Sequence, residues 1–87
     1  MSVQIFNQVV VDHQVNFKVL KDGKTYDFSF SKDAIDYCAN ALSISIDEDL
    51  DRLEIFVKLE DDIAAKAEEI LEQGAQKNEM TYVIDAN

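Results

Sequence analysis

Val15-Asn16-Phe17-Lys18-Val19-Leu20-Lys21-Asp22-Gly23-Lys24-Thr25-Tyr26-Asp27-Phe28-Ser29-Phe30 is the most informative stretch of this chain. Asp22-Gly23 sits between two alternating runs and suits the two positive-φ positions of a type I′ hairpin loop. With those two residues as the loop, Lys21 faces Lys24 and the whole register follows. Val19 then meets Tyr26, Phe17 meets Phe28 and Val15 meets Phe30 on one face, while Lys18 meets Asp27 and Asn16 meets Ser29 on the other. Aromatic and β-branched cross-strand pairs of this kind stabilise a sheet by about 0.2–1 kcal/mol each. One face is apolar and the other polar, as in a sheet covered on one side only. A slip of one residue would turn the apolar set to water, so the register is well specified.

Upstream, Val3 to Phe6 and Val9 to Val11 are strand-like and separated by Asn7-Gln8, which reads as a short first strand and a turn into the second. Downstream, Ser31 precedes Lys32-Asp33-Ala34-Ile35 and fits an N-cap, with Asp33 near the positive end of the helix. Ile35, Cys38, Ala39 and Leu42 give that helix its apolar stripe, and Ser43 to Ile46 reads as a connector. Ser45 with Glu48 fits a capping box, followed by acids in the first turn. From there a stripe of Leu50, Leu53, Val57, Ala64, Ala67 and Leu71, flanked by Phe56, Ile63 and Ile70, predicts one long helix over about 47–74 that ends at Gly74. Leu53, Ile55, Val57 and Leu59 also have period two, but the continuing helical pattern outweighs a strand there. Met80 to Ile84 is β-rich and predicts a closing strand. The expected fold is a single α+β domain over 1–87, with a small antiparallel sheet in the order β-β-β-α-α-β and two helices on one face.

Composition agrees with one folded domain. The 87 residues are 47% apolar and 9% aromatic, without Pro and with two Gly, so a core can form and linkers are not expected. A single cysteine, Cys38, admits no internal disulfide and suits a reducing compartment. The first residues show no basic-then-apolar leader, and no apolar run reaches the ~20 residues of a membrane span, so a cytoplasmic location is expected. The net charge of −10 is lopsided: residues 1–46 carry four Lys against five Asp, and residues 47–87 carry four bases against thirteen acids. A field of that sign repels phosphate backbones and anionic lipid surfaces, which speaks against direct nucleic-acid or membrane binding.

Candidate chemical groups are few. His13 is the only histidine, so every histidine-based triad or zinc site must include it, and its polar neighbours Asp12 and Gln14 mark a solvated imidazole. Cys38 has no basic neighbour and Asp36 nearby, which suits a small buried hydrophobe better than a reactive thiol. Asp47, Asp49 and Asp51 alternate like the opening of a calcium loop, but Arg52 stands where the turn glycine belongs and Lys58 where a bidentate Glu belongs. They read as an acidic first helical turn. The adjacent acids Asp61-Asp62 and Glu68-Glu69 diverge by ~100° on a helix and cannot face each other as an acid/base pair. No catalytic, cofactor or metal constellation is expected.

Ile5-Phe6, Val15 and Phe17, Gly23, Ser31 with Ala34-Ile35, Leu53 with Phe56, Ile63, Ala67-Glu68, Ile70-Leu71 and Val83-Ile84, taken in order, span nearly the whole chain. This series resembles a family of small single-domain bacterial proteins known as domain of unknown function family 1488. The resemblance implies an α+β fold with a small sheet and two helices. It implies no activity and supplies no functional residues.

The leading expectation is therefore a non-enzymatic interaction or accessory domain that self-associates or binds another protein. Its surface would be the helix flank bearing Ile55 and Leu59, which lie off the long helix's main stripe, or an uncovered sheet edge. An acidic partner that engages a basic protein surface, as a DNA mimic does, is the alternative, through Asp51, Glu54, Asp61, Asp62, Glu69 and Glu72. A small-molecule site would have only Tyr26, Tyr37, Tyr82 and His13 as polar tips.

Overall fold

The computed structural model describes residues 3–73 and 82–85. Three antiparallel strands form a meander: β1 (Gln4–Val11), β2 (Gln14–Lys21) and β3 (Lys24–Phe30). Three helices follow, α1 (Lys32–Leu42), α2 (Asp49–Lys58) and α3 (Glu60–Glu72), and β4 (Tyr82–Ile84) completes the sheet beside β3. The class is α+β, with helices packed on one face of a four-stranded sheet. The order is β-β-β-α-α-α-β.

The β2–β3 register is the expected one, from Lys21 opposite Lys24 to Val15 opposite Phe30. Asp22 and Gly23 have φ of 54° and 78°, the left-handed pair that the loop demands. Val15, Phe17, Val19, Phe28 and Phe30 are buried, and Lys18 forms an ion pair with Asp27 on the outer face.

The first strand departs from expectation. Val3 to Phe6 and Val9 to Val11 belong to one strand, and Asn7-Gln8 is a bulge in it rather than a turn. The register steps between Phe6 opposite Lys18 and Val9 opposite Asn16, with Asn7 at φ 57°. One extra residue reverses the alternation, so Ile5 and Val10 both pack on the core while Phe6, Val9 and Val11 face outward. Three consecutive valines give no alternation from which that switch could be read. The turn lies at Asp12-His13, where φ is 52° and 68°, a second left-handed pair without glycine. A non-glycine residue in this region costs about 1–2 kcal/mol, less for Asp, and glycine's extra chain entropy offsets part of the gain. His13→Gly is therefore expected to stabilise the domain by about 0.5–1 kcal/mol, read as a higher urea midpoint. A lower midpoint would show that the imidazole has a structural role.

Ser31 caps α1 as expected: its Oγ accepts from the Ala34 N–H at 3.0 Å. The same hydroxyl donates to Asp85 Oδ1 at 2.7 Å, and the Ser31 N–H donates to the Ile84 carbonyl at 3.0 Å. One residue thus ends β3, starts α1 and ties down β4. That strand runs parallel to β3, with Phe28 opposite Tyr82 and Phe30 opposite Ile84, so the sheet is mixed rather than purely antiparallel. Three helices between β3 and β4 supply the crossover that a parallel neighbour requires. Of the expected closing strand, Met80 and Thr81 lie outside the described residues, as does Gly74.

The single helix expected over about 47–74 is two. The chain leaves helical geometry at Leu59 (φ −106°, ψ 13°), although the Leu59 N–H still reaches the Ile55 and Phe56 carbonyls at 3.1 Å and the Ile63 N–H reaches the Leu59 carbonyl at 2.9 Å. Charge favours the break. Lys58 sits in the last turn of α2, while Glu60, Asp61 and Asp62 fill the first turn of α3, each sign at the dipole end it stabilises. The cap before α2 also lies later than expected, at Glu48 rather than Ser45. Asp51 Oδ2 reaches back to accept from the Asp47 and Glu48 N–H groups at 2.8 and 3.1 Å.

The helical layer closes the core with Ile35 and Ala39 from α1, Ile55 and Phe56 from α2, and Ile63 and Ala67 from α3. Phe56 enters the aromatic face of the sheet, its ring 4.9 Å from Phe17 and 6.1 Å from Phe30. Between helices, Arg52 Nη1 donates to Asp36 Oδ1 at 3.2 Å, and Asp36 Oδ2 accepts from Lys32 Nζ at 2.8 Å.

Candidate interaction surface

The outer face of the sheet is crossed by transverse rows set by the register. Val9, Asn16, Ser29 and Val83 form one, and Phe6, Lys18 and Asp27 form the next. Its two sides are apolar and its centre is polar. Val9 and Val83 are 52% and 55% exposed, and Phe6 and Val11 are also exposed. Between the two valines lies a concavity of about 560 Å³, lined by Asn7, Gln14, Asn16, Lys18, Asp27 and Ser29. Gln14 Nε2 donates to Asn16 Oδ1 at 3.0 Å along its wall.

Ser29 is the unusual residue on this face. It is only 3% exposed, and its Oγ is a buried side-chain oxygen with no hydrogen-bond partner among the described residues. A buried hydroxyl without a partner costs free energy on the order of 1–3 kcal/mol. Ser29 lies at the floor of the concavity, between Val9 and Val83. The sequence places Ser29 opposite Asn16, but not that it is recessed.

The helical layer does not present the flank expected from Ile55 and Leu59. Ile55 is 0% exposed and part of the core, and Leu59 is half-buried at the α2–α3 break, packed against the same core. The face of α2 is rotated relative to the expected stripe. Arg52, Ile55, Phe56 and Leu59 turn inward, while Leu50 and Val57 stand 68% and 53% exposed beside half-buried Leu53. Because α2 is apolar on two sides, periodicity alone selects either face as the buried one.

The other candidates fall where their chemistry places them. His13 is exposed at the tip of the β1–β2 turn. Cys38 is half-buried on α1, and its thiol pKa is raised by burial and then by the charge of Asp62, so the thiolate is disfavoured. Asp62, not Asp36, is the acid that acts on it. Asp47, Asp49 and Asp51 lie at a helix start, as expected, with the Asp51 carboxylate engaged by backbone N–H groups. Tyr26 and Tyr82 lie 6.2 Å apart ring to ring on the inner face of the sheet, whereas Tyr37 is 66% exposed. They converge on no common site with His13. Glu54, Asp61, Asp62, Glu69 and Glu72 are exposed, and Asp51 is half-buried at its cap. Among the described residues no helix is long and apolar enough to cross a membrane.

Comparison with protein-family models, with curated proteins and with solved structures finds no match to this chain.

Proposed function

We propose that this chain is a non-catalytic interaction domain that self-associates through the outer face of its sheet, two copies meeting face to face. The carrying observation is the row Val9, Asn16, Ser29 and Val83, in which exposed aliphatic ridges flank a recessed polar centre. Such a surface can pair with its own copy, the valine ridges of each seating against the recessed row of the other. Charge selects the same face. The half of the chain that forms the first three strands and α1 has a net charge of −1, whereas residues 47–87 carry −9. Helix-to-helix association would bring like charges together, and sheet-to-sheet association keeps them apart. Lys18 and Asp27, adjacent on the face, can also exchange partners across a two-fold axis.

Sedimentation equilibrium is expected to show a dimer for the wild-type chain and a monomer with an unchanged circular dichroism spectrum for Val9→Lys combined with Val83→Lys. A wild-type chain that stays monomeric up to about 1 mM, where an association of ~4 kcal/mol is half-complete, would sink the proposal. So would a dimer indifferent to both substitutions.

A further inference from the structure

We infer that the outward face of α2 is a second docking surface, built for an amphipathic helix of another protein that carries Lys or Arg beside its aliphatic stripe. This inference is independent of self-association through the sheet. A helix that is apolar on opposite sides is normally covered on both. On α2 the inward side is covered by the sheet, and the outward side bears Leu50, Leu53 and Val57 around a shallow groove of about 380 Å³ completed by Glu54. The intervals of three and four residues place these three at successive a, d and a positions of a heptad, the spacing that accepts the knobs of a partner helix. A strand, whose side chains repeat every two residues, would not match it.

Charge identifies the occupant. Residues 47–62 hold eight acids against Arg52 and Lys58, and Arg52 is buried against Asp36. Glu54 lies along the groove, with exposed Asp49 before it and exposed Asp61 beyond it. A second copy would bring an equally acidic rim and be repelled. A helix with aliphatic residues at heptad spacing and flanking cations satisfies both the groove and its rim.

The test uses the full chain, isotopically labelled, titrated with a synthetic Leu/Lys peptide of about three heptads and with a scrambled peptide of identical composition. The heptad peptide is expected to shift the α2 amides saturably. The scrambled peptide should bind at least about tenfold more weakly, and Leu50→Ser combined with Val57→Ser should weaken the heptad peptide by a similar factor. Both substituted side chains are exposed, so the variant should fold, and the scrambled peptide keeps the test decisive if it does not. Affinity should also fall as added salt shortens the screening length. Equal binding of both peptides would reduce the effect to charge alone and overturn the inference, as would an absence of saturable binding. Dilution-dependent shifts of Leu50 and Val57 without peptide would assign the groove to a second copy and overturn it too.

Discussion

Phe56→Ala is expected to destabilise the domain by about 3–5 kcal/mol, the range for a fully buried aromatic truncated to a methyl group. Phe56 is 0% exposed and is the one helical side chain whose ring meets the aromatic face of the sheet, 4.9 Å from Phe17 and 6.1 Å from Phe30. Phe17 in turn stacks on Phe28 at 5.6 Å, so the cavity would open in the middle of a connected cluster. Domains of this size have roughly 5–15 kcal/mol in total, and the variant should be largely unfolded at mild urea concentrations. The neighbouring residue supplies the control. Val57 is 53% exposed on the outward face of the same helix, so Val57→Ala should change stability by no more than about 0.5 kcal/mol. Equal urea midpoints for the two variants would mean that α2 is turned the other way, and would remove the docking surface proposed on it.

That orientation is where sequence reasoning and structure part company. The hairpin register was legible because Asp22-Gly23 is specific turn chemistry and the residues from Val15 to Val19 and from Tyr26 to Phe30 alternate between apolar and polar. Ser31 was legible because a hydroxyl before a helical run has one common use. In α2, Leu50, Leu53 and Val57 form one apolar stripe and Ile55, Phe56 and Leu59 form another, so the choice between them is made by fit to the sheet. A bulky ring at Phe56 fills the space over Phe17 and Phe30 better than Val57 would. The same limit hid the bulge at Asn7, which only the β2 partner residues reveal. It also hid the parallel pairing of β4, since three residues, Tyr82 to Ile84, carry no directional signal. The outer-face concavity was half legible. Asn16 and Ser29 follow from the hairpin, but Val9 and Val83 at its sides depend on the bulge and on the parallel register.

Arg52, the only arginine in the chain, passes unnoticed in a periodicity reading because a charged residue is counted as polar. In the structure it is 8% exposed, its guanidinium directed to Asp36 of α1. Two effects compete to explain its importance. The Asp36 side chain is 40% exposed and is shared with Lys32, so the ion pair is worth no more than about 1 kcal/mol after solvent screening. The three methylenes of the stem, at about 0.8 kcal/mol each when buried, contribute roughly 2 kcal/mol. Packing should therefore dominate: Arg52→Ala is expected to cost about 2–3 kcal/mol and Arg52→Met, which keeps the stem's bulk, no more than about 1 kcal/mol. The charge is then isolated by pH. The pKa of Asp36 is lowered first by its hydrogen bond to Lys32 and further by the charges of Lys32 and Arg52. A carboxyl with a lower pKa in the folded than in the unfolded chain stabilises the fold above the unfolded value, about 3.9, and loses that contribution as pH falls through the folded value. Whatever Arg52 adds through charge must vanish as Asp36 is protonated. The stability gap between wild type and Arg52→Met should narrow below about pH 4, while the gap between Arg52→Met and Arg52→Ala, being apolar, should hold. Urea titrations of the three proteins at neutral and acid pH read both gaps. A first gap that is large and independent of pH would show that the guanidinium acts through a partner other than Asp36.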